Sequence, residues 1–166
     1  EGASLFGYEQ KCLFLNRGGR FEDAALAAGW EDRSDGRGLA AIDYLNDGRL
    51  SLIEANQGQR VRFYRNEPRT ASGPDAGNQW IGFELEASRG NRDGWGSKVS
   101  VRLRGGPTLA RELEPGNGYA SQSDGRLHFG LGPDPVLESV SIRWPGGRRQ
   151  ELAGLALGRY HRLREP

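Results

Sequence analysis

Apolar and polar residues alternate along most of this chain, in short runs repeatedly broken by glycine. Trp80–Ala87 (WIGFELEA) sends Ile81, Phe83 and Leu85 to one side. Lys98–Arg104 (KVSVRLR) alternates in the same way. Leu127, Phe129 and Leu131 alternate with His128 and Gly130, and Leu137–Trp144 (LESVSIRW) turns Val140 and Ile142 inward. A period of two is the signature of a half-buried strand. Weaker strands are expected at Leu109–Glu114, Arg148–Leu152 and Tyr160–Leu163. Strands recurring about every 8–12 residues with turn signals between them predict a compact β-sandwich or barrel.

The first half is less regular. Lys11–Asn16 predicts a short strand, stopped by Arg17-Gly18-Gly19. Phe21–Ala28 (FEDAALAA) is the one helix-like segment, with acids at its start and Gly29 where a C-terminal cap belongs. At about two turns it would need contacts through Phe21, Leu26 and Trp30 to persist. Gly38–Asp43, Arg49–Ala55 and Arg60–Asn66 predict a three-stranded antiparallel meander, with Val61 and Phe63 on one face. Glu67–Gly77, rich in Pro, Gly, Ala and Ser, is the best boundary. The expected organisation is residues 1–67, a linker at 68–77, and a β domain over 78–166. The expected class is all-β, with one short helix near 21–28.

Composition narrows the functional classes. With 166 residues, 36% hydrophobic, and 26 glycines, the chain holds one ordinary domain or two small ones rich in turns. A net charge of +1 argues against nucleic acid as a partner. No apolar run approaches the roughly 18 residues that span a bilayer, so no transmembrane segment of its own is expected. Cys12 stands alone in an apolar run, where a packed thiol is expected. The lack of any Met suggests a processed chain or a fragment.

Candidate chemistry is sparse. Asp43, Asp47 and Gly48 have the start of a calcium-loop pattern, but Leu45 and Ser51 stand where oxygen ligands belong. A hairpin turn bonded to Asp and Asn side chains is the expected role. No cofactor is expected, with calcium at Asp43 and Asp47 as the one alternative. Ser121 or Ser123, Asp124 and His128 are the ingredients of a nucleophilic triad, yet a polar turn followed by a strand does not align them. A hydrogen-bonded structural histidine is expected at 128. Two histidines and one cysteine make zinc improbable. Gly116-Asn117-Gly118 precedes no helix, so it is not a dinucleotide loop. Arg92 and Asp93 are expected to pair and lock the loop before Trp95. Trp95 and Trp144, with Trp80, are the candidates for a glycan platform, and Arg143 beside Trp144 for an anionic group. Packing is the expected role of the tryptophans.

Two resemblances organise these fragments. Leu13-Phe14-Leu15-Asn16 recurs about fifty residues later as Phe63-Tyr64-Arg65-Asn66, a spacing that suits propeller blades. GWEDRSDGRGLAAIDYLNDGRLSLIEANQGQRVRFYRN resembles an FG-GAP or VCBS-type repeat of integrin-like β-propellers. Asp43, Asp47, Gly48, Leu50, Asn56, Tyr64 and Asn66 fit that repeat, while Leu45 and Ser51 depart from it. The first half would then be a partial, blade-like sheet whose edges need cover.

Downstream, three ordered motifs resemble the ASPIC/UnbV domain found in the cartilage acidic protein group. They are Asn91-Arg92-Asp93 followed by Gly96; Gly118-Tyr119 with Ser121 to Asp124 and Leu127 to Gly132, including Gly130; and Arg143-Trp144-Pro145-Gly146. This likeness covers about residues 78–152, and it makes Asn91, Arg92, Asp93, Gly118, Tyr119, Asp124, Gly130 and Gly132 architectural. It implies a periplasmic or extracellular location and a non-catalytic interaction or scaffolding role. The implied partner is a larger protein or multi-subunit complex, which could be membrane-associated. The alternative is a carbohydrate-binding module using exposed tryptophans.

Overall fold

The computed structural model describes residues 9–67 and 77–166. Twelve short strands occur among the described residues, and no helix. The all-β reading holds. The helix expected near 21–28 does not form. Instead β1 (Phe14–Arg17) and β2 (Arg20–Asp23) make a hairpin, with Phe14 opposite Asp23 and Arg17 opposite Arg20. Asp23 ends the hairpin by accepting the Leu13 and Ala25 N–H groups, both at 3.0 Å. The alanines after it make only a turn, with Ala28 N–H bonded to the Ala24 carbonyl. Phe21 therefore belongs to a strand, and helix propensity in so short a stretch gives way to the hairpin.

The expected meander is present. β3 (Gly36–Ile42), β4 (Ser51–Asn56) and β5 (Arg62–Tyr64) form an antiparallel sheet in the order β3-β4-β5. The linker proposed at 68–77 lies, except for Gly77, outside the described residues.

The C-terminal strands build a sandwich of two sheets. β6 (Asn78–Glu86) lies between β9 (Leu127–Pro133), which is antiparallel to it, and β12 (Tyr160–Arg164), which is parallel. The facing sheet orders β11 (Arg149–Leu152), β10 (Leu137–Arg143), β7 (Lys98–Leu103) and β8 (Thr108–Glu112). The alternation read from the sequence supplies the core. Ile81, Phe83, Val99, Val101, Phe129, Val140, Ile142 and Trp144 are essentially inaccessible to solvent. Phe83 and Phe129 meet edge to face at 5.8 Å.

The polar span from Asn117 to Asp124 does more than close on itself. Asn117 N–H donates to the Ser121 carbonyl, and the Asn117 side-chain oxygen accepts Ser123 N–H at 2.7 Å. The folded loop then lies along the edge of β3. Asp124 N–H donates to the Ala41 carbonyl (2.9 Å), Ala41 N–H to Ser123 Oγ (3.1 Å), and Asn117 Nδ2 to the Leu39 carbonyl (3.3 Å). One exposed edge of the first sheet is thus occupied by the second half of the chain.

Candidate functional site

The Asp43–Gly48 turn sits against the outer face of the β12-β6-β9 sheet. Asp43 is fully buried. Its carboxylate accepts the backbone N–H groups of Asp47 (3.1 Å) and Gly48 (2.8 Å) and the hydroxyl of Tyr160 (3.0 Å). A buried carboxylate needs such partners, since an unpaired one would carry a large desolvation cost. Arg126 closes the junction from the other side. It is paired with Asp124, donates to the Asp43 carbonyl at 2.9 Å and to the Asn46 side chain, and lies 3.9 Å over the Tyr160 ring.

Two glycines make the approach close enough. Gly48 has φ 86°, and a Cβ there would lie 2.3 Å from the Trp80 indole. At Gly82 a Cβ would fall 2.2 Å from the Tyr160 ring. Trp80 stacks on His128 at 5.4 Å and meets Tyr160 at 4.9 Å.

Burial sets the electrostatics. Burial, and then the charge of Asp43, hold the Tyr160 hydroxyl well above the usual phenol range, so it stays a donor. The hydrogen bond that the Arg126 guanidinium makes with Asp124 holds Arg126 above its ordinary value. Burial holds His128 below the ordinary imidazole value of 6.5, against the opposing pull of the Gly48 backbone and Asp43 and with some help from Arg111. Its Nε2 is buried without a hydrogen-bond partner.

A second polar cluster lies on one face of the β3-β4-β5 sheet. Tyr64 donates to Asp32 (3.1 Å) or Glu54 (3.2 Å), while Lys11 pairs with Glu54 and Arg62 with Asp32, both at 2.8 Å. Burial pushes the Tyr64 hydroxyl upward, as do the two carboxylates. Burial alone would raise Asp32, but the hydrogen bonds from Ser34 and Tyr64 and the charge of Arg62 outweigh it and hold it low. Each charge here already has a partner.

The residues singled out from the sequence fall into distinct roles. Asp43 and Asp47 do not fit a calcium ion. Asp43 spends its oxygens on N–H and O–H donors, and Asp47 is bonded by the Arg49 backbone at 3.0 Å and paired with the Arg49 guanidinium. Calcium asks for six to eight oxygens, and Leu45, at the second position, is exposed. No group of three or more His, Cys, Asp or Glu side chains able to hold a metal occurs among the described residues.

Ser121 bonds Asn117, Asp124 holds Arg126 and His128 stacks on Trp80, so the triad ingredients are spread over three separate tasks. Arg92 does not pair with Asp93; the nearer carboxylate is Glu86, at 3.8 Å. Asn91 locks the loop instead, accepting Trp95 N–H at 2.7 Å and donating to the Trp95 carbonyl. Trp144 lies inside the core with its N–H on Gln150, so it offers no stacking face, and Trp95 is half-buried against the same core. Arg143 is exposed on the outer face of β10. Tyr119 is exposed, and Gly118 and Gly132 adopt the left-handed backbone their positions need.

Sequence reasoning missed Tyr160 and Arg126 as junction residues. Arg126 carried a faint signal, since an Arg two residues after an Asp can fold back onto it. Tyr160 carried none.

Among the described residues, the N-terminal half leaves two apolar surfaces open. All eight strand residues of the β1–β2 hairpin are exposed, Phe14 at 60% and Phe21 at 70%. On the first sheet, Ala40, Ile53 and Phe63 form one cross-strand row, extended by Tyr44 packed edge-on against Phe63 and by Val61 at 65% exposure.

Residues 87–166 match the family described as ASPIC and UnbV. The match begins just after β6 and runs to Pro166, so it includes β12 and the Arg126–Tyr160 side of the junction. It does not extend to the first sheet. No curated protein matches the chain. Among the described residues no helix is long and apolar enough to cross a membrane.

Proposed function

We propose that this chain is a non-catalytic interaction module of a larger extracytoplasmic protein assembly, as an accessory subunit or C-terminal part. The observation that carries the reading is the contrast between its halves. The C-terminal sandwich closes its core almost completely, while Phe14, Phe21, Val61 and Phe63 are left uncovered in the N-terminal half. A monomer seldom leaves large apolar groups together in water unless they meet another surface. A two-stranded hairpin is also marginal without something to pack on.

The FG-GAP or VCBS likeness of residues 29–66 is supported by the three-stranded meander and by the turn built on Asp43 and Gly48. In this reading the module needs no catalytic residue and no bound metal. The periplasmic or extracellular location rests on the family likeness. The glycan alternative loses its platform with Trp144 buried.

The test compares the wild-type chain with V61E/F63E and F14S/F21S in affinity capture from its native source, alongside light scattering. Specific partners should be lost in the variants while the melting temperature stays within about 2 °C, since exposed positions contribute little to stability. An unchanged set of captured proteins would overturn the reading. Self-association abolished by the same changes would make the partner a second copy.

A further inference from the structure

The outer face of the four-stranded sheet holds a feature that protein docking by the N-terminal strands does not use. Cross-strand register places Lys98 opposite Arg143, and Arg143 opposite Arg149. The alternation that turns Val99, Ile142 and Gln150 toward the core turns these three cations outward. They form a row across β7, β10 and β11, with neighbouring strands about 4.8 Å apart. Like charges directly opposite one another destabilise a sheet. None of the three makes an ion pair among the described residues; even Glu112, opposite Lys98 on β8, does not reach it. The next row is Ser100, Ser141 and Glu151, again in register. Together the two rows line a shallow concavity of 200 Å³.

We infer that this concavity binds an anionic sugar unit, one carrying a sulfate or carboxylate group beside free hydroxyls. The cations supply forked and point-charge donors for the oxyanion. Ser100 and Ser141 can donate to or accept from neighbouring hydroxyls, and Glu151 accepts from them. Glu112 and Glu151 bound the positive row at its sides. That limits the site to a compact anion and works against a long, uniformly charged strand such as duplex nucleic acid. The site lies on the sandwich, away from Val61 and Phe63, so its failure and the failure of the docking reading are distinguishable.

The experiment is calorimetric titration of the full chain at physiological salt with a sulfated heparin tetrasaccharide and with a galacturonate oligomer. Inorganic sulfate, anionic lipid vesicles and a short DNA duplex serve as competing sources of the same charge. Two double variants remove equal charge: R143Q/R149Q within the row, and R33Q/R60Q on the N-terminal half. All four arginines are exposed, so folding is preserved and is checked by the melting temperature. The expected result is saturable binding of at least one acidic oligosaccharide. It should weaken at least about tenfold in R143Q/R149Q and less than about twofold in R33Q/R60Q, the scale set by losing charge-assisted hydrogen bonds. Equal weakening in both variants, no saturable binding of either oligosaccharide, or tighter binding of sulfate, vesicles or DNA would overturn the inference.

Discussion

At the scale of single residues, His128 is the group whose protonation the fold opposes. Its ring stacks on the Trp80 indole, with Nε2 cut off from water. Asp43 favours the charged form and Arg111 disfavours it, and burial is the larger effect. The folded-state pKa is therefore lowered, so the unfolded chain binds the proton more tightly. Stability is fully present above the ordinary value of 6.5 and falls as pH drops from there toward the lowered folded-state pKa. His128→Gln keeps a polar group of similar reach without this titration. Thermal melts of the two proteins between pH 7.5 and about pH 5 should diverge, the wild type losing melting temperature more steeply. Parallel pH profiles would show that His128 is solvated well enough to protonate in place.

At the scale of elements, what could be read from the sequence depended on how local the cause was. The strands at Lys98–Leu103 and Leu127–Pro133 follow from alternation within a few residues, and Val99, Val101 and Phe129 are buried as their positions imply. The β1–β2 hairpin was hidden because the alanines of 21–28 outweighed the Gly18-Gly19 turn, the more informative signal for two such short strands. The Asn117–Asp124 loop was legible as self-bonded, but its second role was not, because its partners lie about eighty residues away on β3. The junction is further still from local reading: Tyr160 meets Asp43 across 117 residues and Arg126 meets it across 83. Only folding brings them together, so no spacing in the sequence could mark them. Gly48 shows the consequence for the Asp43 turn. Gly48→Ala would require a left-handed alanine and a Cβ inside the Trp80 ring, so the turn must lift off the sandwich. The expected loss is about 2–4 kcal/mol, from backbone strain plus overpacking, read as a shift in the urea midpoint. A loss below about 0.5 kcal/mol would mean that the turn does not press on Trp80.

At the scale of the whole molecule, the first sheet has too little core of its own to stand alone. Its strands carry small or half-exposed apolar side chains, and apart from Trp30, packed on Tyr64, its most buried groups are Asp43, Ser51 and Glu54 rather than large apolar ones. Among the described residues, three connections tie it to the sandwich: the loop along β3, the Trp80–Gly48 contact, and the Asp43–Tyr160–Arg126 cluster. If these set its stability, the sheet has no melting transition of its own, and the described strands unfold as one cooperative unit in calorimetry. The combination R126A/Y160F is the sharpest probe. It removes the cation over the tyrosine ring, the bond to the Asp43 carbonyl, and one of the three donors to the Asp43 carboxylate, leaving a buried carboxylate under-satisfied. The expected cost is about 3 kcal/mol, and it falls on the first sheet alone because neither side chain reaches the sandwich core. The variant should therefore unfold in two steps, with amide exchange in 36–64 accelerating well before that in 98–103 and 137–143. If both regions exchange faster by the same factor in the variant, the junction is only one more part of a single core. A first sheet that keeps its protection would show instead that the loop on β3 holds it without the buried cluster.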